Sequence, residues 1–99
     1  MEIDMRVTTH PGQMLFHEFL IPMGLTARAL ARAMDVPPTR VTKLIRAETG
    51  MTADTALRLE RVLGMSAGFW LNLQNSYDLT SEKNAKAATY ERLPRYLAA

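Results

Sequence analysis

The stretch Thr26-Ala27-Arg28-Ala29-Leu30-Ala31-Arg32-Ala33-Met34-Asp35-Val36-Pro37-Pro38-Thr39-Arg40-Val41-Thr42-Lys43-Leu44-Ile45-Arg46 decides how this chain is read. Thr26 is a good N-cap, and behind it Ala27, Leu30, Ala31 and Met34 recur at i, i+3, i+4 and i+7, the spacing of one helix face. Arg28 and Arg32 fall elsewhere on the cylinder. Asp35, Val36 and Pro37 interrupt the pattern, and Pro38 suits the first turn of a new helix, where its missing N–H is not needed. That second helix runs from about Pro38 to Arg46. Val41, Leu44 and Ile45 occupy one arc of it, with Thr39, Arg40, Thr42, Lys43 and Arg46 on the other.

Working outward, Pro11 and Gly12 open a helix in which Leu15, Phe16, Phe19, Leu20 and Met23 form the apolar stripe, ending near Pro22 and Gly24. Downstream, Thr49 and Gly50 make a break and Thr52 caps a helix whose stripe is Ala56, Leu59, Val62 and Leu63, stopped by Gly64. Ser66 caps a fifth helix with Phe69, Trp70, Leu73 and Tyr77 on one side and Leu71 and Leu79 projecting from another. Beyond Thr80 the chain turns polar and alanine-rich, and Pro94 prevents a continuous helix to the end. The expected fold is all-α: a compact five-helix core over residues 8–80 of a single domain (1–99), with residues 81–99 a partly helical or irregular extension.

Composition narrows the function. Ninety-nine residues, 47% apolar and 22% charged, suit one folded domain and leave little room for a cleft built on a second layer. The absence of cysteine removes disulfides and thiolate sites, and fits a reducing, cytoplasmic setting. The start of the chain, with Glu2, Asp4 and Arg6, lacks the pattern of a leader or membrane segment. A net charge of +2 says little, but its placement says more: Arg28, Arg32, Arg40, Lys43 and Arg46 against Asp35 leave residues 27–46 at a local +4.

Two short helices joined by about three residues, the second with a basic and hydroxyl-bearing outer face, form the layout of a helix-turn-helix. Leu30, Met34, Val36, Val41 and Leu44 fill its apolar crossing positions, and Ala31 is the small residue where the backbones approach. The turn needs a positive φ, which glycine commonly supplies; this chain has Asp35 there, a residue that tolerates that conformation less well than Gly or Asn. Thr39, Arg40 and Lys43 are the candidate base contacts, since arginine and lysine donate to guanine O6 and N7 and a threonine methyl meets that of thymine. Thr26, Ala27, Arg28, Thr42 and Arg46 are the candidate phosphate contacts, the first three at a helix N-terminus with free amides. Most charge on a small helical protein is merely solvated, but the helix spacing, the filled crossing positions and the clustered charge coincide here. His10 and His17 lack further ligands for a metal, no catalytic constellation is present, and Trp70 and Tyr77 read as core aromatics rather than base-stacking groups. Neither enzyme activity nor a metal or cofactor is expected.

The run from Leu30 to Val36 followed by Arg40 to Ile45 resembles the helix-turn-helix of the lambda-repressor-like (XRE) family. His10-Pro11-Gly12, Phe19-Leu20, Gly24-Leu25-Thr26, and above all Phe69-Trp70-Leu71-Asn72-Leu73-Gln74 with Tyr77-Asp78-Leu79, resemble the HigA (VapI-like) antitoxins. The resemblance covers about residues 8–80. It implies a homodimer on a palindromic double-stranded operator, autorepression, and a HigB-type messenger-RNA ribonuclease toxin as partner in the bacterial cytoplasm, associated with the nucleoid. The residues themselves support a dimer through Leu71 and Leu79, for which burial by the tail is an equal explanation. The alternatives are a stand-alone repressor of the same fold or a protein-interaction module that does not bind DNA.

Overall fold

The computed structural model describes residues 7–97, so the charged start at Glu2, Asp4 and Arg6 lies outside the described residues. Those residues form five helices: α1 (residues 11–23), α2 (Ala27–Met34), α3 (Pro38–Ile45), α4 (Ala53–Leu63) and α5 (Ala67–Glu91). Four of the five starts are fixed by a side chain that accepts an otherwise orphaned amide. His10 Nδ1 accepts from Gly12 N–H at 2.9 Å, Thr26 from Ala29, Thr52 from Thr55 and Ser66 from Phe69. In α3, Pro38 replaces the cap by removing an amide that would need one.

Helix α1 departs from regular geometry. Pro11–Leu15 is α-helical, Phe16–Leu20 is a π-helical turn, and Ile21–Met23 returns to α. Pro22 accounts for the widening: it has no N–H, and its ring crowds the carbonyl four residues back unless the turn opens. The Ile21 amide accordingly donates to the Phe16 carbonyl, five residues back. The wide turn also shifts the helix phase, so Met23, expected on the buried stripe, is 58% exposed while Leu15 and Leu20 are buried.

The core gathers Leu15 and Leu20 from α1, Leu30, Ala31 and Met34 from α2, Val41 and Leu44 from α3, Ala56 and Leu59 from α4, and Trp70 from α5. The helix-turn-helix crossing residues Leu30, Ala31, Met34, Val41 and Leu44 are all buried, with Val36 half-buried against them. Asp35 adopts the left-handed conformation at φ 58°, and the Val36 amide closes the end of α2 by donating to the Ala31 carbonyl at 3.0 Å. Ala47, at φ 59°, performs the same turn after α3, where Glu48 N–H reaches the Lys43 carbonyl.

Two tertiary contacts lock α3 in place. A Cβ on Gly12 would stand 1.7 Å from the Leu44 carbonyl oxygen, so α1 crosses α3 backbone against backbone. On the other side, Met51 is buried although no helical pattern includes it, and its amide donates to Gln74 Oε1 of α5 at 2.6 Å. Gln74 thus fastens the loop after α3 to the fifth helix.

Helix α5 continues well past Thr80, to Glu91, with a local break at Lys86 (φ −129°, ψ 26°). The molecule measures 50 × 24 × 23 Å, and its Cα radius of gyration of 16.5 Å exceeds the ~13 Å of a globular domain of this length because that helix projects.

Candidate nucleic-acid interface

The exposed surface of α3 carries Thr39, Arg40 and Lys43, with Arg46 just past its end, while Val41 and Leu44 are buried beneath. Eight helical residues with a strictly apolar underside fix which side chains can point outward. A depression of about 420 Å³ lies between α3 and the start of α4, with Thr39, Arg40, Lys43, Thr52 and Asp54 along its wall. The three candidate base contacts therefore share one concave, basic surface.

The candidate phosphate contacts divide. Thr26 and Arg28 are exposed at the start of α2 and, with Arg32, border a second depression. Ala27 is half-buried and can present only its amide. Arg46 is exposed, 4.0 Å from Glu48 at the limit of an ion pair. Thr42 differs from its expected place on the fully solvated side: it is half-buried, and its hydroxyl donates to the Pro38 carbonyl at 3.0 Å. With that proton engaged, the oxygen has only lone pairs to offer a phosphate.

Arg40 is held by a group that the helix pattern did not flag. Its Nη1 donates to Asp54 Oδ2 at 2.6 Å, and Arg58 Nε donates to the same oxygen at 2.9 Å. The Arg40 and then the Arg58 guanidinium hold the Asp54 carboxyl below its usual range. Asp54 reads in sequence as an ordinary acidic residue in a first helical turn. Only the proximity of α3 to α4 gives it another role.

Elsewhere, His10 is buried at the start of α1, with its ring edge-on to Tyr77 at 4.8 Å. Burial lowers its pKa from 6.5, against opposing contributions from a backbone hydrogen bond with Thr49 and the charge of Asp78. His17 is exposed on the π turn. Trp70 is fully buried between Phe19 and Phe69. Leu71 is half-buried against the core, whereas Leu79 is 57% exposed. No helix among the described residues is long and apolar enough to cross a membrane.

Comparison with known proteins agrees with this arrangement. A helix-turn-helix family model matches residues 17–70. Virulence-associated protein I of Dichelobacter nodosus is 51% identical over 77 residues, covering 78% of this chain and 71% of the relative. Antitoxin HigA-1 of Vibrio cholerae is 45% identical over 73 residues, covering 74% and 69%. Among solved structures, the Pseudomonas aeruginosa antitoxin HigA with the higBA promoter superposes with a TM-score of 0.85 at 38% identity, covering 91% of this chain and 98% of that one. The chain belongs to the helix-turn-helix family, in its HigA-like antitoxin branch.

Proposed function

We propose that this protein is a sequence-specific DNA-binding antitoxin that represses its own operon as a homodimer and neutralises a HigB-type ribonuclease toxin, acting by binding rather than catalysis in the bacterial cytoplasm, at the nucleoid. The observation that carries the DNA-binding part is the α3 face: Thr39, Arg40 and Lys43 stand together on a helix whose opposite side is locked into the core. A solved relative is a HigA antitoxin with promoter DNA, which places the same fold on the same kind of ligand. In this reading Thr39, Arg40 and Lys43 meet base edges, while Arg28, Arg46 and the amides at the start of α2 hold the phosphates and set register.

For the dimer, Leu79 is an exposed apolar position of α5 and Leu71 adds its uncovered part. Leu79→Glu yields monomers by sedimentation if α5 pairs the protomers, and weakens binding to a palindrome that rewards two linked readers. A dimer that persists places the interface elsewhere.

Two assays test the whole. Gel shifts compare a duplex from the gene's own upstream region with a scrambled duplex at moderate salt; a specific band is expected only with the former. Co-expression with the neighbouring small reading frame tests the antitoxin role, with rescue of growth expected. Specific DNA binding without rescue of any neighbouring toxin leaves a stand-alone repressor, and no specific band removes the DNA-binding role.

A further inference from the structure

Asp54 sits in the first turn of α4, but its carboxylate is committed outside that helix. It accepts from Arg40 of α3 at 2.6 Å and from Arg58, one turn along α4, at 2.9 Å. Arg58 is itself anchored to main chain: its Nη1 donates to the carbonyls of Met34 at 2.7 Å and Asp35 at 3.3 Å. Those carbonyls close the C-terminus of α2, where the helix dipole favours a cation. A continuous relay therefore runs from the end of α2 through Arg58 and Asp54 to the guanidinium of Arg40.

An isolated ion pair between exposed side chains does little for stability, so the interest of this one lies in direction rather than strength. Guanidinium carries five N–H donors in a fixed plane, and the Asp54 contact uses only Nη1. The edge formed by Nε and Nη2 is left to make the paired hydrogen bonds that distinguish guanine. Lys43, the next cation along the same face, makes no ion pair among the described residues. A carboxylate on a surface that meets phosphates also opposes indiscriminate binding.

We propose that Asp54 is a positioning residue that sets base specificity: it aims the free edge of Arg40 at a guanine and offsets the general attraction of Arg40 for DNA. This rests on the DNA-binding reading above. The test begins with a duplex enriched from a randomised pool by the wild-type protein, in which replacing the guanine read by Arg40 weakens binding roughly tenfold or more. Binding of wild type, Arg40→Ala, Asp54→Asn and Asp54→Glu is then measured on that duplex, its guanine-replaced form and a scrambled form, each across a salt series.

Arg40→Ala should abolish the discrimination. Asp54→Asn, at an exposed site where shape is conserved, should lower it several-fold while tightening binding to the scrambled duplex and steepening the salt dependence by about one released counterion. Asp54→Glu, which restores the charge, should recover part of the discrimination and the original salt slope. A merely structural role would instead weaken all duplexes in parallel without a steeper slope, and that result overturns the proposal. Full discrimination in Asp54→Asn, with Arg40→Ala defective, likewise overturns it while leaving DNA reading intact. If the wild-type protein enriches no duplex at all, the DNA-binding reading fails and the proposal fails with it.

Discussion

Helix α3 and the far end of α5 are both short polar-faced helical segments on the surface, but they are held in opposite ways. α3 has two buried residues beneath it, α1 pressed against its backbone at Gly12, and a loop behind it tied to Gln74. The final turns of α5 rely on local pairs, Lys86 with Glu82 at 3.2 Å and the Tyr90 hydroxyl donating to Glu82 at 3.0 Å. Beyond them Leu93, Tyr96 and Leu97 are exposed. The difference teaches that a segment's precision comes from tertiary locking rather than from helix length. Eight residues with a buried stripe can aim side chains, whereas the end of a twenty-five-residue helix is set by weak local pairs between exposed side chains.

The contrast can be broken most severely from beneath. Trp70→Ala removes the largest fully buried side chain and should destabilise by about 3–5 kcal/mol in urea unfolding, with DNA binding lost through the fold. Gly12→Ala forces a methyl onto the Leu44 carbonyl and should lose about 3 kcal/mol, separating α1 from α3. On the outer surface, Arg40→Ala should leave the melting temperature nearly unchanged while losing roughly 1–3 kcal/mol of specific binding; Arg28→Ala should weaken all duplexes alike.

A smaller effect follows from His10. Its pKa is lowered in the fold from 6.5, so the folded state favours the neutral ring, whose Nδ1 accepts the Gly12 amide. The stabilisation is complete above the unfolded value and is lost as pH falls through 6.5 toward the folded value. Stability should therefore decline on acidification before the carboxylates titrate, and His10→Asn, which caps without titrating, should flatten that part of the profile. Smallest of all, Tyr96→Ser should change stability by no more than about 0.5 kcal/mol. A larger loss there would erase the distinction between the locked helix and the projecting one.

Helix positions were legible because period and punctuation are local: Thr26, Pro38, Thr52 and Ser66 mark starts that the structure retains. The exposed face of α3 was legible for the same reason. Sequence could not supply two kinds of detail: local departures from a regular helical period, and consequences of neighbours on other elements. The π turn before Pro22 moved Met23 off the stripe, and Met51 became core through the loop that Gln74 holds. Thr42 turned its hydroxyl back on its own helix. Asp54 gained its link to Arg40 only when α4 was laid beside α3, fourteen residues away in sequence. Gly12 did leave a hint, being a poor helix former placed just inside a helix start.

The most direct test of a locked helix that reads DNA is a footprint of the purified protein on the region upstream of its own gene. Two protected patches related by two-fold symmetry, about one helical turn apart, with protection lost in Arg40→Ala, are the predicted result. Uniform weak protection along the duplex, unchanged by Arg40→Ala, would contradict it.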